Sequence, residues 1–76
     1  MEYTMKLARV KANLTQREIA SKMHISRDKY RKLEENPEKA TIEEALNFCA
    51  IVKLPLDEVI FTVENSTLSR VKLNYA

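Results

Sequence analysis

A chain of 76 residues makes one domain with one small core, since at this size only about 60% of the unfolded surface is buried on folding. It has no glycine, one cysteine (Cys49) and one histidine (His24), which excludes glycine-rich phosphate loops, internal disulfides, multi-cysteine zinc sites and histidine clusters. The net charge of +2, with 32% charged and 45% hydrophobic residues, is that of an ordinary folded domain rather than a disordered chain.

In chain order, Thr4 is placed to cap a first helix running to about Ala12, with Met5, Ala8 and Ala12 along one side. Asn13, a residue tolerant of the left-handed conformation, ends it. Thr15-Gln16-Arg17-Glu18 is a capping box opening a second helix, Gln16 to Met23, that buries Ile19, Ala20 and Met23. After a turn at His24 and Ile25, Ser26 caps a third helix from Arg27 to about Glu34, anchored by Tyr30 and Leu33 and broken by Asn36-Pro37. Thr41-Ile42-Glu43-Glu44 is a second capping box. It opens a fourth helix whose apolar stripe is read as Ile42, Ala45, Leu46, Cys49 and Ala50. Pro55 separates it from a short fifth helix, Leu56 to Phe61. The expectation is an all-α, five-helix domain over residues 1–61 with a tail over 62–76, where Val71, Leu73 and Tyr75 alternate as a weak edge-strand signal. The absence of glycine also counts against tight hairpins and hence against a β-rich fold.

Charge is unevenly spread. Thr4 to Glu34 holds nine basic residues against three acids, whereas Glu35 to Ala76 holds four against seven. A basic half beside an acidic half suggests a surface facing a polyanion, although a solvated surface of this kind is also common. On a wheel of about 100° per residue, Tyr30 and Leu33 centre the buried face of the third helix. Asp28 and Lys32 lie opposite, flanked by Arg31, with Arg27 at the exposed first turn. Arg and Lys donate to guanine O6 and N7, and Asp accepts from cytosine N4, so such a face suits a DNA groove. No apolar run approaches the ~20 residues of a membrane span, and Met1-Glu2-Tyr3-Thr4 has no signal-peptide pattern, so a cytoplasmic protein is expected.

A capped short helix, a three-residue turn and a second short basic helix form the helix-turn-helix order. The run from Leu14 to Glu34, with Thr41-Ile42-Glu43-Glu44-Ala45-Leu46 and Pro55-Leu56-Asp57-Glu58-Val59-Ile60-Phe61 beyond it, resembles the Cro/phage-repressor (Xre-type) helix-turn-helix family. The likeness covers roughly Met5 to Phe61 and leaves the tail outside. It implies a lambda-repressor-like fold and a repressor-like transcriptional regulator, of a phage or mobile element, that binds double-stranded DNA. One recognition helix reads too few base pairs to single out a genomic site, so a homodimer on a palindromic operator is expected. No cofactor, metal or membrane is expected. The resemblance places Gln16 against the DNA backbone and the reading helix, and Ala20 where the two motif helices approach. It puts Ile19, Ile25, Tyr30 and Leu33 in the core, and Ser26, Arg27, Asp28, Lys29, Arg31 and Lys32 on the recognition surface. It sets Arg9 and Glu34 as an ion pair between the first and third helices. Arg27, Asp28 and Lys32 are expected to read bases, and Gln16, Lys29, Arg31 and Lys39 to lie at phosphates. Where the family usually has glycine, this chain has Asn13, His24 and Asn36, the types most tolerant of positive φ after glycine. Leu56, Val59, Ile60 and Phe61, with Val71, Leu73 and Tyr75, are the expected dimer surface, because so many apolar residues on one short helix exceed what a small core needs.

Two rival functions compete with this reading. A Cys49–His24 nucleophilic pair would make the chain an enzyme, but Cys49 lies on the apolar stripe and His24 in the motif's turn, so structural roles outweigh it and no catalytic residue is expected. A protein-interaction module, such as an antitoxin or antirepressor, could use the same fold. The charged reading face argues against a purely protein-binding role.

Overall fold

The computed structural model describes residues 2–61. Its helices are α1 (Met5–Lys11), α2 (Gln16–Met23), α3 (Arg27–Glu35) and α4 (Ile42–Val52), with single 3-10 turns at Pro37–Lys39 and Leu56–Glu58. Each helix starts at a hydroxyl. Thr4, Thr15, Ser26 and Thr41 accept from the backbone N–H three residues on. At Thr15 and Thr41 the box is reciprocal: Glu18 and Glu44 reach back to accept from the cap's own N–H, at 2.8 and 2.9 Å.

Three helices end alike. Asn13, His24 and Lys53 are left-handed, at φ 60°, 61° and 61°. The next N–H returns to a carbonyl five residues back, Leu14 to Arg9, Ile25 to Ala20 and Leu54 to Cys49, at 3.2, 3.0 and 3.1 Å. Leu14, Ile25 and Leu54 are partly buried against the core, so each ending also turns an apolar residue inward. The expectation for Asn36 is corrected: its φ is −136°, because Pro37 opens a 3-10 turn at once. The third left-handed residue is Lys53, which sequence reasoning passed over.

The core draws Met5 and Ala8 from α1, Ile19, Ala20 and Met23 from α2, Tyr30 and Leu33 from α3, and Ala45, Phe48, Cys49 and Val52 from α4. Val59 and Phe61 complete it. An aromatic row crosses its centre: Tyr30 stacks near Phe48 at 6.4 Å, and Phe48 meets Phe61 edge-on at 6.0 Å.

Two expectations about the second half are overturned. Among the described residues the helices number four, not five. After Leu56–Glu58 the chain turns extended at Val59, which forms a parallel bridge with Tyr3. Tyr3 N–H donates to Glu58 C=O at 2.7 Å and Ile60 N–H to Tyr3 C=O at 2.8 Å, so these backbone groups are spent across the fold rather than along a helix. Consecutive β-branched Val59 and Ile60 favour that choice. The stripe of α4 is also rotated. Its buried face is Ala45, Phe48, Cys49 and Val52, while Ile42 and Leu46 remain exposed, as does Ala50. Both stripes have helical spacing, and the one carrying Phe48 buries the larger side chain.

Candidate nucleic-acid interface

α2 and α3 join through the left-handed His24 and the half-buried Ile25, and Ala20, almost wholly enclosed, keeps the two helices close. Tyr30 and Leu33 face inward from α3, while Ser26, Arg27, Asp28, Lys29, Arg31 and Lys32 are all exposed. Ser26 spends its hydroxyl on the Lys29 N–H at 3.1 Å.

The cations of this face divide into two sets. Lys29 Nζ lies 3.2 Å from Glu44 Oε2, and Arg31 Nη1 lies 3.1 Å from Glu35 Oε2 one turn on. Arg27, Asp28 and Lys32 make no side-chain bond or ion pair among the described residues. Lys39, at the end of the 3-10 turn before α4, is exposed as well. Glu44 therefore does two things: one oxygen completes the Thr41 cap and the other faces Lys29. The Thr41 backbone N–H and then Lys29 hold the Glu44 carboxyl below its usual range against a partial burial.

Beneath the face lies a polar hub. Arg9 Nε donates to Glu34 Oε2 at 2.7 Å, and the Tyr30 hydroxyl donates to the same oxygen at 2.6 Å. Gln16 Nε2 donates to Glu34 Oε1 at 3.0 Å. Arg9 Nη1 also donates to the Leu14 carbonyl at 2.8 Å, tying the loop that precedes the Thr15 cap. The Glu34 side chain is only 8% exposed and that of Arg9 12%. Burial works against the Glu34 charge, but the donors Arg9, Tyr30 and Gln16 outweigh it and hold the carboxyl below its usual range. Burial likewise opposes the Arg9 cation, and Glu34 outweighs it, raising its pKa. Burial, and then the bond to Glu34, push the Tyr30 phenol far up, so it stays a neutral donor.

The expected site residues are thus distributed over three settings. Arg9, Glu34 and Gln16 meet in the hub. Ser26, Arg27, Asp28, Lys29, Arg31 and Lys32 share the outer face of α3. Of the expected dimer surface, Val59 and Phe61 go to the core, at 6% and 5% exposure, and cannot serve outside. Leu56 and Ile60 are half-buried. Val71, Leu73 and Tyr75 lie outside the described residues. The hub's links to Tyr30 and Gln16 escaped sequence reasoning, although Tyr30 and Glu34 stand four apart on one helix face, a legible spacing. Cys49 is buried, which pushes its thiol up to about 11, the reverse of an activated nucleophile, while His24 is exposed at the end of α2.

A family model described as helix-turn-helix matches residues 5–59. That is more than half of the chain, and the protein belongs to this Cro/C1-type, Xre-like family, whose members are DNA-binding regulators rather than enzymes. No curated protein and no solved structure matches the chain. Among the described residues, no helix is long and apolar enough to cross a membrane.

Proposed function

We propose that the protein is a sequence-specific transcriptional repressor that reads the major groove of double-stranded DNA with α3 and works as a homodimer on a palindromic operator. The observation that carries this reading is the outer face of α3, where Arg27, Asp28 and Lys32 are exposed and unpartnered among the described residues. Arg27 and Lys32 are suited to guanine O6 and N7, and Asp28 to cytosine N4. Gln16, Lys29, Arg31 and Lys39 flank that face and suit phosphates, and Ser26 caps the helix between them. The N-termini of α2 and α4 add backbone amides for phosphate oxygens.

One short helix reads too few base pairs to single out a site among ~10⁶–10⁹ genomic competitors. Two copies about 34 Å apart would double the reading. With Val59 and Phe61 inside, the dimer surface falls to Leu56, Ile60 and the tail. A rival use, docking a protein as an antitoxin or antirepressor does, has in its favour the exposed Leu7 and Val10, three apart on α1. Fluorescence anisotropy on duplexes across a salt series decides between them. Repressor action on DNA requires affinity that falls steeply with salt. Salt-independent or absent binding would leave the protein-docking use.

A further inference from the structure

We propose that Glu34 is a positioning residue for DNA binding: through its Oε1 it presets the Gln16 carboxamide at the start of α2 for a phosphate. The proposal rests on the DNA-binding reading above. Gln16 is the first residue of α2, next to the Thr15 cap, where backbone amides point outward. Its Nε2 spends one hydrogen on Glu34. The second hydrogen and the carbonyl oxygen have no partner among the described residues, and Gln16 is half-buried rather than enclosed.

The acceptor that holds this amide cannot drift. Glu34 Oε2 is clamped by Arg9 from α1 and by Tyr30 from one turn back on α3, which leaves Oε1 aimed at α2. Two helices therefore fix one carboxylate, and the carboxylate fixes one amide on a third. A free glutamine side chain loses most of its rotamer freedom when it binds, a cost worth roughly tenfold in affinity. Glu34 has that ordering done before DNA arrives. Because the amide is neutral, the effect leaves the number of released counterions unchanged.

The test is a double-mutant cycle read by anisotropy on random duplex across a salt series. Gln16→Ala and Glu34→Asp are the two changes: the shorter acid keeps a charge for Arg9 but withdraws the oxygen from Gln16. Each should lower affinity up to roughly tenfold with the salt slope intact, and the double variant should bind no worse than the weaker single one. Tyr30→Phe removes one of the two donors on Oε2 while Arg9 keeps the other, so it should lower the melting temperature with a smaller affinity loss than Glu34→Asp. Losses that multiply in the double variant overturn the proposal while leaving the DNA reading intact. A wild-type protein that binds no duplex overturns both.

Should Glu34→Asp fail to fold, the wild type decides. Gln16 is the only glutamine in the chain, so labelling glutamine alone at its side-chain nitrogen separates its amide signals from those of the asparagines. Nitrogen-15 relaxation should find that amide ordered in the free protein and unchanged on adding duplex. An amide that is mobile until DNA binds refutes the positioning role.

Discussion

Lys53→Gly should stabilise the fold, and the reason is local. Lys53 ends α4 at φ 61° and ψ 43°, the left-handed region where a Cβ crowds the following carbonyl. A non-glycine residue there costs roughly 1–2 kcal/mol, which glycine avoids. Glycine returns part of that gain, about 0.4–1 kcal/mol, through the larger freedom of its unfolded chain. The net gain is about 0.5–1 kcal/mol. At this chain length 1 kcal/mol moves the melting temperature by roughly 4–8 °C, so a rise of about 2–8 °C is expected. Lysine near a helix C-terminus also gains a little from the helix dipole, so the clean comparison is with Lys53→Ala, which loses the charge but keeps the Cβ. Thermal unfolding followed by circular dichroism should rank Gly above Lys and Lys at or above Ala. His24→Gly and Asn13→Gly should gain less, because those residue types tolerate positive φ better. Glycine melting no higher than alanine at position 53 would refute the left-handed ending of α4.

The other predictions concern charge. Glu34→Ala leaves Arg9 without its partner in a nearly enclosed site and should cost about 3–5 kcal/mol in urea unfolding, against little or nothing for an exposed pair. The lowered pKa of Glu34 means its contribution is present above the ordinary carboxylate range and is lost as pH falls through its lower folded value. Glu34→Gln should therefore flatten the acid limb of the stability profile, and an unchanged limb would contradict the hub. Glu44→Gln keeps a side chain able to complete the Thr41 cap but removes the charge facing Lys29, so the salt slope of DNA binding should steepen by about one as Lys29 turns to a phosphate. Removing the charge at Arg31 or Lys39 should lower that slope by about one, and no change would show that neither meets a phosphate.

Local signals were the legible ones. Four hydroxyl caps and two capping boxes lie in the sequence as short, ordered patterns, and the helices start where those patterns place them. Tyr30 and Leu33 had to face inward because α3 offers no other apolar residue. Less legible was whatever depended on a distant partner. The stripe of α4 has two helical solutions, and only Tyr30 and Phe61, brought up by the fold, select the one centred on Phe48. The segment after Leu56 is apolar enough for a helix, yet Tyr3, more than fifty residues earlier, takes its backbone hydrogen bonds. Asn36 and Lys53 show the same limit: asparagine tolerates positive φ, but Pro37 sets the backbone at Asn36, and the need to turn Leu54 inward sets it at Lys53. At the site, the outer face of α3 could be drawn on a wheel, whereas the sharing of Glu34 among Arg9, Gln16 and Tyr30 required three helices in place.

The central claim is that α3 reads bases. Its most direct measurement is selection of bound duplexes from a random pool by the wild-type protein and by Arg27→Ala in parallel. The wild type should enrich a two-fold symmetric motif. The variant should lose preference at one base pair of each half-site, expected to be a guanine, at about 1–3 kcal/mol, and keep the rest. No enriched motif, or the same motif from both proteins, would contradict it.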